Sequence, residues 1–240
     1  MALVDDALAI YLCDDAAGGT LTDLTANSND GTLSNAGWDT IDGEACLDMT
    51  GATSVVNCGD FGMDGNDITI MMRIQFITAI PDDEDIISKY LTSGTGRSWR
   101  IRSRANGRVT GQLSENGTGN AGRTGVATGD TVLGTWANIV CTFDGDGADA
   151  CVYTVYKDDT TNSDDSSPTG HGFMFANATD ILLGGSDVDN NMYLRNIVLM
   201  TGIATAQQIT DHHNEVFTAV GGGPKGPLGH PLSGPFGGPI

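Results

Sequence analysis

Short apolar runs, each bounded by acids, Gly or Asn, recur along this chain at lengths that suit β-strands rather than helices. Residues 7–13 are apolar and flanked by Asp, which reads as a first buried strand. Residues 31–33 and 44–49 give short strands on either side of a turn-rich segment near Trp38. Residues 54–58 are expected to return on 44–49 as a hairpin across Thr50-Gly-Ala52. Residues 67–76, long, β-branched and partly alternating, form the strongest strand signal. Three runs, 86–91, 98–103 and 108–113, predict a meander, its last two strands joined at Ala105-Asn-Gly107. Residues 136–143 and 151–156 predict a hairpin around 144–149. That turn lacks the acid or amide and the late Glu of a calcium loop, so it reads as a plain turn. Residues 180–184 and 192–200 are the last strands, and Thr205-Ala-Gln-Gln208 is a capping box opening one helix through about Phe217.

A dozen short strands and one late helix predict an all-β fold, an antiparallel β-sandwich over residues 1–217. Residues 218–240 form a separate unit, because five of the seven prolines fall there and Gly223 to Pro231 follows a G-X-Y pattern. This reads as an extended Gly/Pro-rich C-terminal arm. In it Leu228, Leu232, Phe236 and Ile240 recur every four residues, a spacing suited to docking on a neighbour.

Composition narrows the function. With 31 acids against 11 bases in 240 residues the formal charge is −20, which argues against a phosphate-backbone partner and favours solubility and bound cations. No apolar run reaches the length of a membrane span, and the N-terminus shows no basic n-region or apolar h-region, so neither membrane insertion nor a signal peptide is expected. The five cysteines form no CxxC pair, which disfavours zinc and suggests mostly reduced thiols. Cys46 with Cys58, and Cys141 with Cys151, are the two pairings that hairpins could bring together.

Two stretches carry candidate chemistry. The polar loop 23–31 is dense in oxygen donors, which suit either a hard cation or a turn held by its own Asx hydrogen bonds. In 98–104, Trp99, Ile101 and Ser103 alternate with Arg100, Arg102 and Arg104, so the arginines share one strand face. Such a face either pairs with acidic surface, including that of another subunit, or receives an anionic partner. Trp99 is the aromatic best placed to serve it. No Glu-x-Asp-x-x-Glu cluster, nucleophile elbow, metal triad or phosphate loop is present, so catalysis is not expected.

The order of pieces resembles the LamG-like family of concanavalin A-type jelly rolls (laminin G, pentraxin-like). The resemblance rests on Asp14, loop 23–31, hairpin 45–51, strand 68–74, 136–140, 181–184, Leu194 to Val198 and the helix after Thr205. It implies that the opening loop and final strand share a calcium ion, with Asp23, Asn27, Asn29 and Asn196 as ligands by position. Thr25-Ala26 stands where the family loop has Ser-Gly, and Asn196 where it has a cation-binding Asp, which weakens that site. By fold-level analogy it also implies a virion surface component, a capsid decoration or fibre protein. In that role the chain is expected to form a homo-oligomer through its sandwich and C-terminal arm, a trimer by the arm's G-X-Y pattern, in a virion or extracellular assembly with other virion proteins as partners. The competing expectation is a carbohydrate- or cell-surface-binding module with glycans as partners.

Overall fold

The computed structural model describes residues 6–215 except 65–66, 79–83, 92–93, 105–106, 115–116, 119–124, 127–132, 146–150, 159–162, 167–173 and 186–189. The arm 218–240, with Leu228, Leu232, Phe236 and Ile240, therefore lies outside the described residues, as do Ala105-Asn106 and most of the turn 144–149.

Sixteen strands and one helix are described. They are β1 (Ala7–Tyr11), β2 (Thr20–Leu21), β3 (Gly31–Ser34), β4 (Gly37–Ile41), β5 (Glu44–Met49), β6 (Val55–Asn57), β7 (Asp67–Phe76) and β8 (Asp85–Tyr90). There follow β9 (Arg97–Ser103), β10 (Val109–Leu113), β11 (Gly125–Val126), β12 (Ala137–Gly145), β13 (Cys151–Lys157), β14 (Ser163–Ser166), β15 (Leu182–Leu183), β16 (Met192–Thr201) and α1 (Ala206–His213). The first sheet runs β14-β13-β12-β7-β16-β5-β4 with β1 also on β16, and the second runs β11-β10-β9-β8-β15-β6-β3-β2. Every described pairing is antiparallel. The fold is a jelly-roll type β-sandwich.

Alternation explains the core. On β7 the residues Ile68, Ile70, Met72, Ile74 and Phe76 face inward, where they meet Trp99, Ile101, Ile139, Phe143, Tyr153 and Leu199 in the main cluster between the sheets. The opposite side of β7 is not uniformly wet. Met71 joins Ile10, Val140, Val198, Met200 and Ile209 in a second, smaller cluster beneath α1. The helix begins at the expected capping box, Thr205 accepting from Gln208 N and Gln208 answering at the cap N–H, but it ends at Asn214, short of Phe217.

Two pairings correct the expectations from sequence. Strands 44–49 and 54–58 do not form a hairpin: β5 pairs with β4 and β16 in the first sheet, while β6 pairs with β3 and β15 in the second. The connection is a corner between sheets, so Cys46 and Cys58 lie on strands of different sheets and both thiols are free. The β12–β13 hairpin is as expected, but its register sets Cys141 opposite Val155 and Cys151 opposite Gly145, so those cysteines are not partners.

β16 switches neighbours midway. Met192 to Leu194 pair with β5, whereas Ile197 to Met200 pair with β1. A register shift between Arg195 and Val198 marks the change, and Asn196 takes a left-handed backbone there (φ 50°). The extra residue keeps Leu194 and Ile197 both in the main core while Arg195 and Val198 face the other way. His212 caps this bulge. Its Nε2 lies 2.7 Å from Asn196 O, and a carbonyl only accepts, so Nε2 carries the proton.

The second sheet is anchored from inside by Lys89. Its fully buried ammonium contacts the Asp60 carboxylate, lies 3.7 Å from Asp64 and donates to Thr179 O at 3.0 Å. That bond holds the Asp60 carboxyl below its ordinary range.

The opening loop clamps β1. Asp23 Oδ1 accepts from the N–H groups of Ile10 (3.0 Å) and Thr25 (2.9 Å). Its Oδ2 accepts from Thr25 Oγ1 (2.8 Å) and Asn29 N (2.9 Å). The Leu8 carbonyl accepts from Thr25 Oγ1, Asn27 Nδ2 and Asn29 Nδ2.

Three outcomes are expected. Asp23→Ala strands three backbone donors and should cost about 2–4 kcal/mol in urea unfolding, with Asp23→Asn milder because one acceptor oxygen remains. An unchanged urea midpoint for Asp23→Ala would remove the loop's clamping role. Gly111→Ala would set a Cβ 2.1 Å from Tyr153 Cζ across the sandwich, so a loss of about 1–3 kcal/mol is expected in the same assay. Burial, with Arg73 and His213 nearby, pushes the His212 imidazole down to about 4 from 6.5. The unfolded chain takes that proton first, so this contribution is complete above pH 6.5 and is lost as pH falls toward 4. A pH series of melting temperatures on wild type and His212→Gln should show the acid-side slope reduced in the variant.

Candidate functional site

The arginine face of β9 is built as alternation required, with one correction. Trp99 is turned inward with Ile101 and Ser103, has no exposed surface, and donates its indole N–H to Met63 O. A ring so placed closes the core and offers no platform to a ligand. On the other side, Arg100 lies over the Tyr90 ring (4.2 Å to the centroid), donates Nε–H to Gln112 Oε1 (2.6 Å) and sits 3.6 Å from Asp85. Arg102 lies 3.0 Å from the same Asp85 oxygen, and Arg97 also covers Tyr90. Arg104 follows β9, half-buried, its N–H bonded to Arg108 O at 2.9 Å. This face is held by the chain's own acid and aromatic groups.

The four residues expected to hold calcium are engaged in hydrogen bonds within the chain in this structure. All four hydrogen bonds to the Asp23 oxygens come from N–H or O–H donors, and Asn27 and Asn29 turn their NH2 groups to the Leu8 carbonyl. Asn196 is 2% exposed, its carbonyl is taken by His212, and its side-chain Nδ2 has no partner. A hard cation needs oxygens with free lone pairs converging on one point. Among the described residues no group of three or more His, Cys, Asp and Glu is placed to hold a metal ion. The loop fits Asx-type hydrogen bonding instead.

The outer side of the first sheet carries a constellation that sequence reading missed. Register sets Arg73 of β7 directly beside Arg195 of β16 on one side and Asn138 of β12 on the other. One row further along, Gln75 pairs with Tyr193, which pairs with Asp48 of β5. Trp136, two residues before Asn138, belongs to the same face: the Arg73 and Arg195 guanidiniums lie 5.6 and 6.0 Å from its ring centroid. Like charges directly opposite repel, and two carboxylates bridge them. Glu215, just past α1, contacts Arg73 and lies 3.1 Å from Arg195 Nη2, while Glu44 contacts Arg195 and lies 3.9 Å from Arg73. Desolvation lowers both arginine pKa values, but a guanidinium stays charged.

The edges of this face are polar and fixed. Tyr193 donates its hydroxyl to Asp39 (3.1 Å), and burial followed by Asp39 pushes its pKa up to about 12. Asn138 Nδ2 donates to His213 Nδ1 at 2.8 Å. Five polar atoms of the cluster have no partner: Arg73 Nε, Arg195 Nε, Trp136 Nε1, Gln75 Oε1 and Asn138 Oδ1. Gln75 and Asn138 are 5% and 8% exposed, so their orphan oxygens are shielded from bulk water. The readable signal was a lone Arg in each of the two most apolar central strands.

No family model matches the sequence, and comparison with curated proteins gave no match. Solved structures do match in fold. Domain 4 of AbnA, an extracellular arabinanase of Geobacillus stearothermophilus solved with arabinotriose, superposes with a TM-score of 0.64 at 14% identity, over 87% of this chain and 98% of that one. The ligand-binding domain of botulinum neurotoxin serotype D with N-acetylneuraminic acid gives 0.66 at 12% identity, over 88% and 51%. Trypanosoma rangeli sialidase in complex with sialic acid gives 0.61 at 15% identity, over 86% of this chain. The chain spans 32% of that sialidase's length. At these identities the likeness is one of fold: a jelly-roll type β-sandwich.

Proposed function

We propose that this chain is a non-catalytic carbohydrate-binding module, whose glycan docks on the outer face of the first sheet around Trp136. The observation that carries the reading is the half-buried Trp136 ring itself, fixed on this face with the Arg73 and Arg195 guanidiniums 5.6 and 6.0 Å from its centroid. A sugar presents a C–H face that packs on an aromatic ring and a rim of hydroxyls that both donate and accept. The partly exposed Glu44 and Glu215 carboxylates beside the ring supply acceptors for sugar hydroxyls. Held by sheet register and ion pairing, these groups are preorganised, so little ordering cost falls on binding. The solved structures that share the fold include ones described as complexes with arabinotriose, sialic acid and N-acetylneuraminic acid, which supports the same reading.

The assembly role drawn from the Gly/Pro arm rests on residues 218–240, outside the described residues. Glycan binding therefore takes precedence over decoration of a particle, and homo-oligomerisation through the sandwich and the arm remains an expectation from sequence.

The purified chain should bind members of an oligosaccharide array that includes arabinan fragments and sialyllactose. Trp136→Ala should weaken that binding by at least about tenfold, the effect of a central aromatic contact. Arg102→Ala, on the other sheet, should leave binding unchanged. A wild-type protein retaining no oligosaccharide would overturn the reading. A loss confined to Arg102→Ala would move the site to the second sheet.

A further inference from the structure

We infer that this face selects neutral glycans and rejects their acidic counterparts, an inference that rests on the carbohydrate-binding reading above. Arginine pairs commonly receive carboxylates through forked hydrogen bonds. Here that capacity is already engaged from within the chain. Arg73 and Arg195 each meet both Glu44 and Glu215, which closes a quartet of two cations and two anions. A ligand carboxylate would have to displace one of these glutamates. The exchange swaps one carboxylate for another, and the internal group returns at the high effective concentration of its own chain. Displacement therefore yields no net electrostatic gain.

The rest of the face adds repulsion. Asp48 of β5 lies opposite Tyr193 and Asp39 of β4 accepts its hydroxyl, so two further carboxylates stand on this face beside the quartet. The whole chain carries −20, and exposed charges act over about 8–10 Å at moderate salt. With the unpartnered atoms of Gln75, Asn138, Arg73 and Arg195 closed to solvent, what remains for a ligand is the half-buried Trp136 ring and the partly exposed Glu44 and Glu215 oxygens. Those atoms match hydroxyls and acetamido groups. The selectivity runs against the sialic acid ligands of two of the fold neighbours, so fold likeness alone would predict the opposite.

The test is an array of matched pairs, each neutral oligosaccharide printed beside its uronic or sialic acid counterpart, probed with the full chain at about 20 and 300 mM salt. Neutral members should bind at least about tenfold more strongly at low salt, and the gap should narrow at high salt as the repulsion is screened. Stronger binding of the acidic members would overturn the inference while leaving the carbohydrate reading intact, whereas binding to neither would overturn that reading itself. Because removal of Glu215 leaves two facing guanidiniums bridged by Glu44 alone and could unfold the sheet, the variant of choice is Asp39→Asn. It keeps an acceptor for Tyr193 and removes one charge. The neutral-to-acidic ratio should fall at least about twofold in it, and an unchanged ratio would count against an electrostatic origin.

Discussion

The pairing of β7 with β16 is the constraint from which the rest of the first sheet follows. β7 is apolar on its inner side, and half of its outer side is also covered, by α1. β16 runs along it for its whole length and must serve two different strands on its far edge, β5 and then β1. A straight strand cannot do so without turning core residues outward, because the side-chain period is two. The bulge at Asn196 absorbs the mismatch. It restores inward Ile197 and Leu199 after inward Leu194, and it leaves an irregular backbone that His212 of the helix seals. Helix, bulge and strand switch are one device.

That device also places the polar cluster. Arg195 sits immediately before the bulge, at the last position where β16 keeps its register beside Arg73. Below it the face is covered by the helix; above it the face carries Trp136, Gln75 and Tyr193. Glu215 follows directly from the end of α1, so the helix that buries the apolar half delivers a carboxylate to the charged half. An ion quartet of this kind is poor evidence for stability, since apolar residues of similar volume usually serve a sheet as well. Its value is positional: it fixes two guanidiniums and an indole in one arrangement.

Much of the secondary structure was legible because the signals were local. Residues 44–49 and 67–76 are strands with the bounds read from sequence, and the capping box at Thr205 opens the helix. Pairing was less legible. A short Gly-containing link between two apolar runs reads the same whether the chain turns back on itself or crosses to the facing sheet, which is why 44–49 and 54–58 were misjoined. Period two showed that Trp99 and Arg100 face opposite ways but not which way was in. That depends on Met63 and Lys89, contributed by other segments. Arg73, Trp136 and Arg195 are each unremarkable in sequence. Only the register of three strands, with partners more than fifty residues apart, makes them neighbours.

The same register bears on how an acidic protein disposes of its few arginines. Elsewhere on the chain cations are likewise consumed locally: Lys89 by Asp60 and Asp64, Arg100 and Arg102 by Asp85. With 11 bases among 31 acids, a cation that is buried or half-buried finds a carboxylate from its own chain before any ligand arrives. Charge is thus spent on fixing geometry. An orphan amide oxygen shielded from water carries the full penalty of its lost hydration. The unpaired oxygens of Gln75 and Asn138 are therefore a local cost of burying polar side chains beside the ion quartet.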